Sequence, residues 1–192
     1  MLIVVRHGRT QANAAGRLLG RRLDPELDDT GRRQADALAA VLGGAQRVIC
    51  SPLARTRQTA ERLGPPVTID ERWAELDYGD LDGVPMAEVP EATWAAWRAD
   101  LDWAPPGGES LAALAQRVRP ACQELVEEAR DADVVVVTHV SPIKAAVAWA
   151  LGADDRIVWR MYSAPASITR IAVAGRTPSL HGYNDVAHLA GT

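Results

Sequence analysis

Four valines in succession, Val134 to Val137, are the feature that most constrains this chain. A short run that is apolar at every position has no solvent face to offer, and reads as a strand buried on both sides. Leu2 to Val5 and Val48-Ile49-Cys50 have the same character, and Val67 to Ile69 is a briefer case. Strands covered on both faces need helices as the cover, and helical patterns lie between them. Ala35, Leu38, Ala39 and Leu42 recur at i, i+3, i+4 and i+7 behind the capping candidates Asp28-Asp29-Thr30, and Gly43-Gly44 closes that helix. Ser51-Pro52 reads as the start of a helix that Gly64-Pro65-Pro66 stops. Ser110 to Ala129 reads as a long amphipathic helix with an irregularity at Pro120, and Ser141-Pro142 as the opening of another to about Leu151. Ser167 to Val173 and Ser179 to Tyr183 read as a hairpin around Gly175. The expected fold class is α/β: a three-layer α/β/α sandwich, with a mostly parallel central sheet and an antiparallel edge strand.

A length of 192 residues suits one sizeable core, so residues 1–192 are expected to form a single domain. The stretch at about 70–108 interrupts the alternation of strands and helices. It is rich in Trp, Asp, Gly and Pro, with one helical piece expected from Glu88 to Asp100. An excursion of that length in a compact domain is usually functional, and it is expected to cover an active site. Twenty-one basic against 25 acidic residues leave a net charge of −4, which argues against a nucleic-acid partner. An anionic ligand must then be drawn in by a local basic cluster. No apolar stretch approaches the ~18 residues of a membrane span, and the first residues lack the pattern of a secretion signal. Cys50 and Cys122 read as small buried residues. A cytoplasmic location without membrane contact is expected, and a homodimer is left open.

Three strand ends carry polar, phosphate-compatible residues: Arg6-His7-Gly8, Ser51-Pro52-Leu53-Ala54-Arg55, and Thr138-His139. In open α/β sheets ligands gather at the carboxyl ends of the strands, so these segments are expected to converge in one cleft. Neutral imidazole is a competent nucleophile near physiological pH. Arginine forks match phosphate oxygens and keep their charge. A small residue such as Gly8 lets backbone N–H groups approach the same anion. Each signal alone has an ordinary structural explanation; their joint occurrence is what points to phosphoryl chemistry.

Arg6-His7-Gly8-Arg9-Thr10, with Asn13 three positions on, resembles the signature of the histidine phosphatase superfamily, in its phosphoglycerate-mutase-like branch. Gly20, Asp24, Leu27, Gly31, Gln34 and Ala35 fit the segment that follows the signature. The run from Ser51 to Ala60 resembles the family's second motif, Glu75-Leu76-Asp77-Tyr78-Gly79 its acid-bearing segment, and Thr138-His139 its last motif. The resemblance implies roles. His7 is the nucleophile, and Arg6, Arg55 and His139 surround the phosphoryl group. Asn13 hydrogen-bonds to it, with Gly8 and Thr10 also on the substrate side. Glu75 protonates the leaving oxygen and later activates water. It implies no metal and no cofactor, and a small phosphorylated metabolite as the substrate. One departure stands out: the family often has Gly-Trp-Glu-Gly where this chain reads Gly79-Asp80-Leu81-Asp82-Gly83.

The short chain favours hydrolysis over phosphoglycerate mutase activity, and a non-catalytic phosphate-binding protein is the third class considered. His139 to Lys144 and Asn184 to Leu189 look similar to α-ribazole-phosphatase-like members; Trp103 to Ser110 looks similar to actinobacterial sugar-phosphoglycerate phosphatases. Arg9, Arg17, Arg21 and Arg22 stand equally as a basic rim or as ordinary exposed charges. Trp73, Trp94, Trp97 and Trp103 read as packing first and pocket wall second.

Overall fold

The apolar runs become the strands they imply. β1 (Leu2–Arg6), β2 (Arg47–Cys50), β3 (Val67–Ile69), β4 (Val134–Thr138), β5 (Ile168–Ala172) and β6 (Ser179–Asp185) form one sheet in the order β3-β2-β4-β1-β5-β6. The computed structural model describes residues 1–191. β4 lies at the centre, parallel to both β1 and β2, and all of its residues are buried. Successive side chains of a strand point to opposite faces, so an all-apolar run feeds two cores at once. Leu2, Val4, Val134 and Val136 enter one core, and Ile3, Val5, Val135 and Val137 the other.

Helices supply the covers. α2 (Asp29–Leu42) and α3 (Ala54–Ala60) give Leu38, Leu42 and Ala60 to the second core. α5 (Leu111–Glu124) and α7 (Val140–Leu151) give Leu114, Val118, Ile143 and Ala146 to the first. The remaining helices are α1 (Gln11–Ala14), α4 (Glu91–Ala99) and α6 (Val126–Asp131). None of the helices among the described residues is long and apolar enough to cross a membrane.

Four details differ from expectation. β5 pairs antiparallel with both β1 and β6, so the reversed strand is one in from the edge, and β6 returns to the common direction. The helix expected at Ser51-Pro52 begins at Ala54, because the Ser51 N–H still bonds Val137 O and keeps the chain in the sheet. The long helix is interrupted at Leu125 rather than at Pro120. Pro120 and Gln116 lie on its exposed face, where water can take the Gln116 carbonyl that proline leaves without an N–H. The helix expected from Glu88 to Asp100 runs from Glu91 to Ala99, with Pro90 at its N-cap.

Candidate active site

The register of β1 against β4 pairs Arg6 with Thr138, and β2 pairs Cys50 with Val137. The residues that follow, His7, His139 and Ser51, therefore leave three neighbouring strands side by side. The His7 and His139 rings meet edge to face with centroids 5.1 Å apart. The three segments expected to converge do so.

His7 is buried, and its Nδ1 lies 2.7 Å from Gly8 O. A carbonyl only accepts, so Nδ1 carries the hydrogen and Nε2 keeps its lone pair. Burial, then the charges of Arg55 and Arg6, hold the ring well below the ordinary imidazole pKa. His139, at the N-cap of α7, is fully buried and is shifted the same way by burial and by Arg55. Its Nδ1 faces Arg55 Nε at 3.3 Å, and its Nε2 lies 2.8 Å from Ser51 Oγ.

The first turn of α3 places Arg55 beneath this pair, where it has no exposure. Its Nη2 donates to Gly20 O at 2.7 Å, and its Nη1 donates to Leu23 O and sits 3.6 Å from Asp24. Burial lowers its pKa to about 10, opposed by Glu75 and Asp24, so it stays charged at neutral pH. Arg6 donates from Nη1 to Ser163 O at 2.6 Å, while its buried Nε has no protein partner among the described residues. Its pKa is also lowered by burial, with Glu75 opposing.

Glu75 is buried, and its carboxyl meets the N-terminus of α7. Oε1 accepts from Leu76 N and Ser141 N, and Oε2 from Val140 N. The departure at Gly79–Gly83 leaves this placement intact, because that segment is anchored elsewhere. Asp82 accepts from Gly20 N, Arg22 N and Leu23 N, and Gly79, at φ +54°, packs so tightly on Pro106 to Gly108 that a Cβ would meet Pro106 O at 2.1 Å.

Asn13 accepts through Oδ1 from the N–H and Oγ1 of Thr10, which leaves its amide N–H groups for the cavity that it lines. Gly8 and Thr10 fall outside the cavity wall. The Gly8 N–H goes to Thr59 Oγ1, and a Cβ on Gly8 would meet Gly31 O at 2.5 Å; Thr10 is buried and caps α1. In this arrangement both shape the loop that carries His7.

Arg6, His7, Asn13 and Glu75 open on a cavity of about 360 Å³. Its far wall is aromatic. Trp94 and Trp97 stack at 5.7 Å with an 11° interplanar angle, and Trp159 meets Trp97 edge-on at 5.8 Å. Trp97 is therefore both packing and wall. Trp73 is fully buried, outside the cavity lining. Of the four arginines weighed as a rim, Arg9 pairs with Asp28, Arg21 with Glu109 and Arg22 with Asp80; only Arg17 lines the cavity, and it donates to Gly83 O. Sequence reasoning missed the contributions of Lys144, Trp159, Tyr162 and Ser163 to the lining. The aromatic cluster Trp159-Arg160-Met161-Tyr162 between α7 and β5 was the available signal.

Comparison with known proteins bears on this geometry. The family model described as histidine phosphatase superfamily (branch 1) matches residues 2–186. A glucosyl-3-phosphoglycerate phosphatase from Mycolicibacterium vanbaalenii is 38% identical over 92% of this chain and 84% of the relative. Phosphoserine phosphatase 1 of Hydrogenobacter thermophilus is 32% identical over 98% of this chain and 93% of the relative. The solved structure of a mycobacterial glucosyl-3-phosphoglycerate phosphatase with VO3 superposes with a TM-score of 0.85 at 35% identity, covering 96% of this chain and 98% of that one. This chain is a phosphatase of the histidine phosphatase superfamily, branch 1.

Proposed function

We propose that the enzyme hydrolyses a small phosphomonoester without a metal ion, through a phosphohistidine formed at His7 Nε2. The observation that carries this reading is the His7 Nδ1–Gly8 O bond, which fixes the tautomer and leaves Nε2 as the attacking atom. Burial beside Arg55 and Arg6 keeps the ring neutral and therefore nucleophilic.

In the first half-reaction Nε2 bonds to phosphorus, and the bond from phosphorus to the leaving oxygen breaks. Glu75 gives its proton to that oxygen; Oε2 accepts a single backbone bond and so retains capacity for a proton. The phosphorylated ring stays positively charged and donates through Nδ1 to Gly8 O. Arg6 and Asn13 face the phosphoryl oxygens, with Arg55 and the neutral His139 behind them, and the two guanidinium groups supply the charge that a metal supplies elsewhere. In the second half-reaction water attacks phosphorus and loses a proton to Glu75. The P–N bond breaks and its electron pair returns to Nε2. Each proton that Glu75 gives is thus recovered.

The test is turnover of an aryl phosphate in excess chelator, with acid-labile, alkali-stable phosphoenzyme trapped by rapid denaturation. The wild type is expected to show both and His7→Ala neither. A phosphoenzyme that survives His7→Ala, or complete dependence on added metal, overturns the mechanism. Phosphoglycerate isomerised with little phosphate released overturns hydrolysis as the outcome.

A further inference from the structure

Lys144 is the only lysine in the chain. It stands on α7, three and four residues after Ser141 and Val140, which puts all three on one face of the helix, and all three line the cavity. The side chain is half-buried, yet it makes no hydrogen bond and no ion pair among the described residues. Burial lowers its pKa, with Glu75 opposing, so Lys144 lies in the field of the catalytic carboxyl without pairing to it. Glu75 is already occupied by three backbone N–H groups.

The other cations of the region are committed. Arg21 and Arg117 share Glu109, Arg22 holds Asp80, Arg9 holds Asp28, and the exposed Arg17 donates to Gly83 O. Arg6 and Arg55 belong to the phosphoryl seat. A partly desolvated cation with no partner carries a cost, and the cost is offset when a ligand brings the missing charge. Apart from Glu75, none of the residues that line the cavity is acidic, so the lining has no second carboxylate to supply that charge.

We propose that Lys144 is the specificity determinant of the cavity, and that its ammonium binds a carboxylate carried by the phosphorylated substrate. The proposal deepens the functional reading above and rests on it for the position of the phosphoryl group. One compact ammonium matches one negative charge, whereas a second phosphoryl group, carrying close to two, calls for a fork or a further cation. The carboxylate end then lies toward α7, and the carbon skeleton lies along the Trp94–Trp159 wall.

The experiment compares 3-phosphoglycerate with glycerol 3-phosphate, which has a neutral hydroxymethyl group in place of the carboxylate. The wild type is expected to favour the acid by about tenfold in kcat/KM, the usual scale for one charged hydrogen bond. Lys144→Met is expected to bring the two within about twofold through a rise in KM for the acid, and Lys144→Arg to keep most of the preference. Equal losses on both compounds, or a preference that survives Lys144→Met, overturn the proposal. So does a bisphosphate of the same chain length whose binding depends on Lys144 more strongly than the acid's does. The same pair is titrated calorimetrically against His7→Ala with and without Lys144→Met. That binding difference persists whether or not His7 is the nucleophile, so failure of the mechanism and failure of this assignment are read separately.

Discussion

The cavity has a floor and a wall, and they are built by different means. The floor stands at the carboxyl ends of β1, β2 and β4, and backbone bonds fix almost every group in it. His7 leans on Gly8 O, Arg55 on Gly20 O and Leu23 O, and Glu75 on three N–H groups. The wall comes from Trp94, Trp97 and Trp159, held by ring-to-ring packing, and from Tyr162, which is 70% exposed. Hydrogen bonds to the backbone set orientation to a narrow tolerance, while apolar packing sets shape and admits exchange of residues. The floor is thus suited to a reaction common to many substrates, and the wall to telling one substrate from another.

Breaking the floor is expected to have the largest effect. Arg55→Ala removes a charge that has no contact with solvent, so the loss is expected in kcat, roughly 10³-fold as for arginines that stabilise transferring phosphoryl groups. Steady-state kinetics on an aryl phosphate measure it. A loss carried by KM alone would place Arg55 in ground-state binding and blur the division between floor and wall. Glu75→Gln comes next. The amide preserves volume but carries no transferable proton, so alkyl phosphates are expected to slow by about 10²-fold to 10³-fold. Nitrophenyl phosphate, whose leaving group needs little protonation, is expected to slow far less in the first step. Equal slowing of phosphoenzyme formation for both esters would remove Glu75 from the acid role.

The same division governs what the sequence made legible. The floor residues each follow a strand that declares itself by an unbroken apolar run, so Arg6-His7, Ser51 to Arg55 and Thr138-His139 can be brought together from spacing alone. Glu75 cannot. It sits in irregular chain between two short helical turns, and only a family pattern marks it. The wall is dispersed over residues 18 to 165, on the excursion, α5, α7 and the segment before β5, and no periodicity links them. Gly8 and Thr10 show the limit of a motif: it marks which positions matter without saying whether they touch substrate or hold the loop. Pro120 shows another limit, since its cost depends on which face of α5 meets water.

Changes in the wall sharpen the comparison by separating shape from stability. Trp97 is nearly inaccessible and belongs to the core as well as to the cavity, so Trp97→Ala is expected to cost about 3–5 kcal/mol in unfolding free energy. Trp159 is less buried and packs at the margin of that core. Trp159→Ala is expected to retain the fold and to raise KM by about tenfold for esters with bulky leaving groups, with a smaller change for short ones. Denaturant unfolding and a leaving-group series measure the two effects. A uniform fall in kcat across the series would show that the wall also positions the floor.

The smallest expected effect is on pH dependence, and it again divides floor from wall. His7 and His139 are buried in the floor with pKa values held well below the ordinary imidazole value, first by burial and then by Arg55. His188 shifts the same way near the β5–β6 edge, and the aromatic wall contributes no imidazole to the cavity lining. In the unfolded chain these rings titrate near 6.5. Below that pH the unfolded state takes up protons that the native floor refuses, so the stability they contribute is complete above about pH 6.5 and is lost as pH falls toward the depressed native values. Unfolding midpoints measured from about pH 8 down to about pH 5 are expected to hold level and then decline, with a shallower decline in His139→Asn. If His7 is the nucleophile as proposed, the acid limb of kcat/KM is expected below the ordinary imidazole range, because its ring stays unprotonated there. An acid limb at or above that range, together with midpoints that stay flat, would mean that the floor imidazoles are protonated in the folded enzyme. Nε2 would then have no lone pair to offer.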